Sequence, residues 1–159
     1  MTTLVVTAVA AERDAVVRDL GPCEPIEIGG IPGLRVDTPA GLLHIVSGGI
    51  GPVAAALATA SALAAEPYEL VASAGIAGGF RGRADTASIV VADSVTFADL
   101  GVRTDDGFLT PSGMGLRQDT TYALANEPIL RRLEKGPAPV LRGEILTLAC
   151  MTGTDADAE

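Results

Sequence analysis

A short apolar run followed by three glycines constrains the fold of this chain most. The apolar residues 70–74 are typical of a strand that is covered on both faces of a parallel sheet. Gly75, Gly78 and Gly79 then let the backbone bend where a Cβ would clash, and they bring bare N–H groups to the strand end. Small ligands bind at the carboxyl ends of such strands, so this is a candidate ligand site. A tight turn beneath close packing explains the same spacing equally well.

Length and charge narrow the classes of protein and partner. The 159 residues fit one domain over residues 1–159 that can bury a sizeable core. A net charge of −9 argues against nucleic acid or an anionic membrane surface as partner, because both favour basic patches. The longest apolar stretch, residues 53–65, is shorter than the roughly 20 residues that a bilayer requires, and it predicts a buried helix. A neutral small molecule is the better partner.

The cysteine and histidine content excludes two kinds of site. Cys23, Cys150 and the single histidine, His44, provide neither a disulfide framework nor the spacing of zinc ligands. No basic residue precedes the first apolar run, so the N-terminus does not resemble a signal peptide. We therefore expect a cytoplasmic protein with no metal and no cofactor.

Strand and helix patterns alternate along the chain and predict an α/β fold. A strand at 4–9 is followed by a helix at 10–20, and a glycine-rich turn at 47–52 opens a second helix that runs to about residue 65. Strands form the remaining elements, with antiparallel hairpins at 25–28, 33–37 and 42–47, one long or two short strands at 86–97, and a final strand at 141–150.

The second half of the chain contains two less regular segments. Residues 98–115 are polar and rich in glycine, which favours a lid or a subunit contact. Residues 119–135 have helical spacing, with Pro128 dividing or kinking the helix. A mainly parallel sheet usually closes with a further strand and a covering helix. We expect both to be absent from this chain, which then is truncated at its C-terminus.

Four motifs in this order resemble a known superfamily. They are VVTAVAAERDAV at 5–16, GIGPVA at 49–54, SAGIAGG at 73–79 and SIVVAD at 88–93. Together they resemble the nucleoside phosphorylase and nucleosidase superfamily, on the methylthioadenosine nucleosidase side. Residues 7–14 and 73–80 look most like the futalosine hydrolases of menaquinone biosynthesis.

The resemblance implies a Rossmann-like three-layer α/β/α sandwich with a mixed central sheet, usually a homodimer. It implies an enzyme that hydrolyses the N-glycosidic bond of a purine nucleoside, here futalosine, to hypoxanthine and dehypoxanthine futalosine. Two alternatives stay open: a methylthioadenosine/S-adenosylhomocysteine nucleosidase, and a non-catalytic remnant that binds a nucleoside.

The resemblance also assigns site residues. Glu12 falls on the catalytic carboxylate that holds and activates the attacking water. The substrate-binding positions line the ribose (Ala8, Val9), the 5′ pocket (Ile50), the base and sugar (Ile76, Ala77, Gly78) and the purine (Met151, Thr152). The family's ribose-clasping Met-Glu pair and its late aspartate, which protonates the purine, lie beyond any matched position.

The residue chemistry supports Glu12 but leaves another role open. Hydrolysis of an N-ribosyl bond passes through an oxocarbenium-like state, which a nearby carboxylate stabilises. A glutamate in the first helical turn also stabilises its own helix. The superfamily's phosphorylases hold phosphate with an arginine at a position that falls within residues 71–74 here, and these residues are uncharged. Arg81 and Arg83 are expected at the surface. Water is therefore the favoured nucleophile. His44 is expected to be a satisfied or half-exposed strand histidine, and Cys150 a buried apolar side chain.

Overall fold

Two units make up the chain in this computed structural model, which describes residues 1–116, 120–123, 130, 131, 133, 135, 136 and 140–151. The units are Met1–Ala77 and Gly78–Glu159, and each is described by itself. The single domain over residues 1–159 stays a prediction. Among these described residues, no helix combines the length and the apolar character that crossing a membrane requires.

A five-stranded mixed sheet forms the middle of the first unit. Its elements are β1 (Thr2–Thr7), α1 (Ala10–Val17), β2 (Glu24–Ile28), β3 (Ile31–Thr38), β4 (Gly41–Ser47), α2 (Pro52–Ala65) and β5 (Leu70–Ser73). The strand order is β2-β3-β4-β1-β5. β1 runs parallel to β4 and β5, while β2, β3 and β4 pair as antiparallel neighbours. The predicted hairpins and the mixed sheet are confirmed.

The two helices pack on opposite faces of this sheet. β1 alternates between the faces, as the period of a strand dictates: Leu4 and Val6 join the cluster that holds Ala58 and Ala62 of α2. Val5 joins the cluster that holds Val17 of α1. The first unit is therefore a three-layer α/β/α sandwich, as predicted, with an apolar cluster on each side of the sheet.

Both helices differ from their predicted descriptions. α1 ends at Val17 rather than Leu20, since residues 18–20 form a turn before Gly21. α2 has the predicted bounds, but it is not a buried helix. Its alanines approach the sheet closely, while Val53 and Leu57 on the outer face are 72% and 64% exposed. The small side chains let α2 pack closely against the sheet on one face, and its larger apolar side chains lie on the opposite, exposed face.

The position of β5 also corrects an expectation. The sequence predicted a central strand covered on both faces, but among the described residues β5 hydrogen-bonds only to β1 and lies at the sheet edge. Val71 and Ser73 are exposed, and Leu70 and Ala72 are half-buried. An apolar run of four residues fits an edge strand as well as a central one, because composition does not report the number of neighbours.

The second unit contains two small sheets. Its strands are β6 (Ile89–Phe97), β7 (Val102–Thr104), β8 (Gly107–Leu109), β9 (Thr121–Ala123) and β10 (Val140–Thr147). One sheet has the order β10-β6-β9, with β10 parallel and β9 antiparallel to β6, and the other is the β7-β8 hairpin. The long strand predicted at 86–97 is thus a single strand at Ile89–Phe97.

Three predictions for the second unit need correction. The predicted helix at 119–135 is wrong at Thr121–Ala123, which form β9, and right at residues 130, 131 and 133, which are helical. Most of its remaining residues lie outside the described part. Tyr122 packs edge-on against Phe97, a cross-strand aromatic contact that favours the strand. The irregular segment at 98–115 contains the β7-β8 hairpin. Cys150 is exposed, not buried, because β10 ends three residues earlier, at Thr147.

His44 is buried in the first unit with a hydrogen-bonding partner, as predicted. It is 5% exposed, its Nδ1 lies 3.0 Å from the Tyr68 hydroxyl, and Glu66 Oε2 lies 3.5 Å from the same nitrogen. Burial lowers the pKa of His44 below 6.5, and the neighbouring Glu66 carboxylate only partly opposes that shift. The folded chain therefore favours the neutral imidazole.

We predict that acidification destabilises the chain through His44. In the unfolded chain the imidazole gains a proton as the pH falls below about 6.5, while the folded chain resists protonation, so stability is lost as the pH falls through the folded pKa. Urea unfolding at about pH 7.5 and about pH 5 measures the loss of unfolding free energy. His44→Gln should show a smaller loss. An equal loss in both proteins would contradict the prediction.

Candidate active site

The carboxyl ends of three parallel strands meet at one edge of the first unit's sheet. Thr7 of β1 is in register with Ser47 of β4, and Val6 is in register with Ser73 of β5. Beyond the strands, the Gly48 N–H donates to the Thr7 carbonyl at 2.8 Å, and the Ala74 N–H donates to the Val6 carbonyl at 3.0 Å. Three loops therefore leave the sheet side by side, which is where ligands bind in α/β sheets.

Glu12 is hydrogen-bonded to two of these three loops. Its Oε2 accepts hydrogen bonds from the N–H groups of Ala8 at 2.9 Å and Val9 at 3.2 Å. Its Oε1 accepts the N–H of Ile76 at 3.0 Å, from the loop after β5. The bond to Val9 closes the first turn of α1, as in half of a capping box. The side chain thus stabilises its helix, as predicted, and it also lies at the strand edge. Its catalytic role stays a prediction.

These N–H groups keep the carboxylate charged. The hydrogen bond from Ile76 is the largest cause of a lowered Glu12 pKa, and the bonds from Ala8 and Val9 act in the same direction, against partial burial, which raises the pKa. A carboxylate has about four lone-pair sites. Three donors occupy three of them, and the remaining site is on Oε1, where a water molecule or a substrate hydroxyl can donate. Glu12 is therefore ionised at neutral pH, and within the described part of the chain it has one free acceptor site.

Gly75 provides the space that the carboxylate occupies. A Cβ at this position would lie 2.7 Å from Oε1 of Glu12, closer than real side chains approach. The sequence predicted Gly75 as a turn glycine, and its contact with Glu12 was not foreseen. The sequence signal for this contact was a glycine at a strand end, directly before the residue whose N–H binds Glu12. The clash expected for a Cβ at Gly78 is absent, because a Cβ there would have no atom within 4 Å.

The remaining predicted site residues are placed as follows. Ala8 and Val9 contact the Glu12 carboxylate through their N–H groups, and Ile50 and Ile76 have exposed side chains after β4 and β5. Ala77 is exposed beside Ile76. In the second unit, the backbone of Gly78 is exposed and so is the Met151 side chain, while Thr152 lies outside the described residues.

The larger cavity found in the first unit does not include Glu12. It has a volume of about 470 Å³ and lies between α2 and β5, lined by apolar residues such as Ala56, Leu63 and Val71. None of the residues that line it is a predicted site residue. The candidate site at the strand edge is therefore identified by the contacts of Glu12 and not by a cavity.

Comparison with known proteins identifies the family. The family model described as the phosphorylase superfamily matches residues 2–157. The chain belongs to the phosphorylase superfamily. A futalosine hydrolase from Streptomyces coelicolor is 41% identical over 172 residues, covering 99% of this chain and 67% of the relative. One from Acidothermus cellulolyticus is 43% identical over 161 residues, covering 98% of this chain and 63% of the relative. The chain thus spans about two thirds of the length of these relatives.

Solved structures of the superfamily confirm the fold. A 5′-methylthioadenosine/S-adenosylhomocysteine nucleosidase from Neisseria meningitidis, in complex with methylthio-immucillin-A, matches with a TM-score of 0.76 at 20% identity, covering 99% of this chain and 69% of that one. A futalosine hydrolase mutant of Helicobacter pylori matches with a TM-score of 0.78 at 15% identity, covering 98% and 71%. The predicted superfamily and fold class are both confirmed.

We predict that Gly75→Ala raises the pKa of Glu12. The added methyl group would overlap Oε1, break the hydrogen bond from Ile76 and remove the largest cause of the lowered value. Titration of the Glu12 side-chain carboxyl by ¹³C NMR measures this pKa. Gly143→Ala is the matched control, because a Cβ at Gly143 meets nothing within 4 Å. An unchanged Glu12 pKa in Gly75→Ala would show that the two groups are not in contact.

Proposed function

We propose that the protein hydrolyses the N-glycosidic bond of futalosine and releases hypoxanthine and dehypoxanthine futalosine, as a step of menaquinone biosynthesis. The observation that carries the proposal is the ionised Glu12 carboxylate, held by three N–H groups at the strand edge with one acceptor site free. The identity of 41% and 43% to two futalosine hydrolases supports the substrate.

Glu12 suits a reaction in which the sugar becomes positively charged. The bond between the anomeric carbon and the purine nitrogen breaks, its electron pair leaves with the base, and a water oxygen bonds to the carbon. A carboxylate with a lowered pKa is a weak base, so its contribution is to orient the water and to stabilise the cationic sugar. It accepts the proton only once the water oxygen has become strongly acidic by bonding to carbon.

The substrate contacts are proposals of the same kind. We propose that Ala8 and Val9 border the ribose and that Ile50 lines the 5′ side, with support from the common edge where β1 and β4 end. Ile76, Ala77 and Gly78 are proposed to border the base and sugar, and Met151 and Thr152 the purine. The support for Ile76, Ala77 and Gly78 is their place in the motif at 73–79, while Met151 and Thr152 rest on the family resemblance outside the four motifs.

Water is the proposed nucleophile in preference to phosphate. Phosphate recognition relies on Arg or Lys side chains or on several aimed N–H groups. Residues 71–77 carry no cationic side chain, and the N–H of Ile76 is already bonded to Glu12. Arg81 and Arg83 are exposed in the second unit. These observations favour hydrolysis over phosphorolysis.

We predict that the full-length protein releases hypoxanthine from futalosine faster than it releases adenine from methylthioadenosine. Glu12→Gln should lower kcat by about 10²-fold to 10⁴-fold, because the amide removes the negative charge that stabilises the cationic sugar. Chromatography of the released base measures both rates. Glu27→Gln, an exposed change on β2, is the matched control and should leave kcat unchanged.

Each result of this assay has one meaning. Release of base from methylthioadenosine alone would move the assignment to a methylthioadenosine nucleosidase. No base from either substrate would favour the nucleoside-binding remnant and end the proposal. A kcat unaffected by Glu12→Gln would remove Glu12 from the mechanism.

We further propose that the protein is a cytoplasmic homodimer. The outer face of α2 supports the dimer, since Val53 and Leu57 are spaced to share one side of the helix and are 72% and 64% exposed. Two free cysteines, Cys23 and Cys150, support a reducing compartment. A disulfide at either cysteine in protein isolated from cells would contradict the location.

We predict that Leu57→Glu weakens the dimer. A buried interfacial leucine replaced by a charge should raise the dimer dissociation constant by about 30-fold or more, which corresponds to about 2 kcal/mol. Sedimentation velocity over a concentration series measures that constant. Leu20→Glu, in the turn after α1, is the control for adding an acidic residue at an exposed leucine. Equal constants for both variants would exclude α2 as the interface.

A further inference from the structure

Thr7 is a buried hydroxyl directly beneath the bend that holds Glu12. It is the last residue of β1 and is 3% exposed. Its Oγ1 lies 3.2 Å from the Val46 carbonyl oxygen, 3.4 Å from the Val9 carbonyl oxygen and 3.4 Å from the Ser47 hydroxyl. A hydroxyl proton is donated to one acceptor at a time. Thr7 can therefore donate a hydrogen bond to either carbonyl and accept one from the Ser47 hydroxyl. It therefore connects the end of β4 to the start of α1.

The bend after Thr7 carries two of the three groups that hold the carboxylate. The N–H groups of Ala8 and Val9 point to Oε2 of Glu12. The Val9 carbonyl accepts the N–H groups of Glu12 and Arg13, each at 3.2 Å, and so begins α1. The contact from Thr7 Oγ1 to the Val9 carbonyl closes a small ring of side chain and backbone. That ring contains the peptide planes that carry the Ala8 and Val9 N–H groups, so it limits the rotation of both donors that face the carboxylate.

We propose that Thr7 is a positioning residue for Glu12, and that its hydroxyl holds the Ala8–Val9 bend so that both N–H groups stay directed at the carboxylate. This inference rests on the proposed function of Glu12. The buried Thr7 side chain lies on the face of the sheet that carries the Val5 and Ile45 cluster. It takes no part in the chemistry itself. Its effect on the reaction is transmitted through the backbone of two residues.

A hydroxyl at this position does more than fill space. Valine has nearly the same shape as threonine, but it removes the one hydroxyl proton that is shared between the Val46 and Val9 carbonyls. With the donor removed, the bend can rotate and the hydrogen bonds from Ala8 and Val9 lengthen. The Glu12 pKa then rises, because those two bonds help to lower it. A purely structural hydroxyl would change stability alone.

The test compares Thr7→Val with Thr7→Ser, which keeps the hydroxyl. In the full-length protein, Thr7→Val should raise the Glu12 pKa in a ¹³C NMR titration and lower kcat on futalosine by between about 5-fold and about 100-fold, with little change in KM. Thr7→Ser should restore most of both values. Thr59→Val is the matched control, because it removes a threonine hydroxyl that donates to the Ala55 carbonyl within α2, remote from Glu12 in its contacts.

The outcomes separate this proposal from the proposed function. A raised Glu12 pKa in Thr7→Val, with no change in Thr59→Val, supports the positioning role even if futalosine is not a substrate. An unchanged pKa and an unchanged kcat in Thr7→Val would overturn it, whatever the activity of the parent protein. Thr7→Ala is measured alongside, so that a poorly folded Thr7→Val leaves a variant that decides the question by the same two readouts.

Discussion

Three backbone N–H groups that converge on one carboxylate organise the functional edge of this protein. They come from the first and the third of the four motifs: Ala8 and Val9 follow β1, and Ile76 follows β5. Main-chain donors turn away less readily than side chains do, because the strands behind them are fixed by the sheet. Glu12 therefore connects the first helix to the last strand of the first unit. The position of this carboxylate depends on the parallel pairing of β1 with β5.

The same three contacts determine what kind of chemistry the carboxylate can support. Donors that stabilise the charged form lower its proton affinity, so Glu12 gains permanent charge and loses strength as a base. Permanent charge benefits a reaction whose transition state is cationic, since the electrostatic interaction then needs no prior proton transfer. A reaction that began with removal of a proton would be better served by a buried carboxyl with fewer donors. The geometry thus favours cleavage of a bond to a sugar carbon.

Much of the first unit could be predicted from the sequence. Alternating β-branched residues in β1, the glycine-rich turn before α2 and the hairpins at β2–β4 are local signals, and local signals reflect local structure. The edge position of β5 and the exposed face of α2 were missed because they depend on neighbours far away in sequence. In the second unit, residues 121–123 follow a helical period but pair with β6, where a cross-strand contact outweighs propensity. The proposed role of Glu12 follows from family resemblance, whereas its three donors and the space at Gly75 depend on contacts between loops that are distant in sequence.

The hydrogen bond between Ile76 and Glu12 joins residues that are 64 positions apart. Closing so long a segment costs chain entropy before any contact is gained, so the site belongs to the late, non-local part of folding. The bonds from Ala8 and Val9 to Glu12 are local, but the carboxylate acquires its third donor only after β5 has docked beside β1. A nascent chain that ends before β5 contains Glu12 but lacks the Ile76 N–H that lowers its pKa. Ligand recognition at this edge would therefore report completed assembly of the whole sheet.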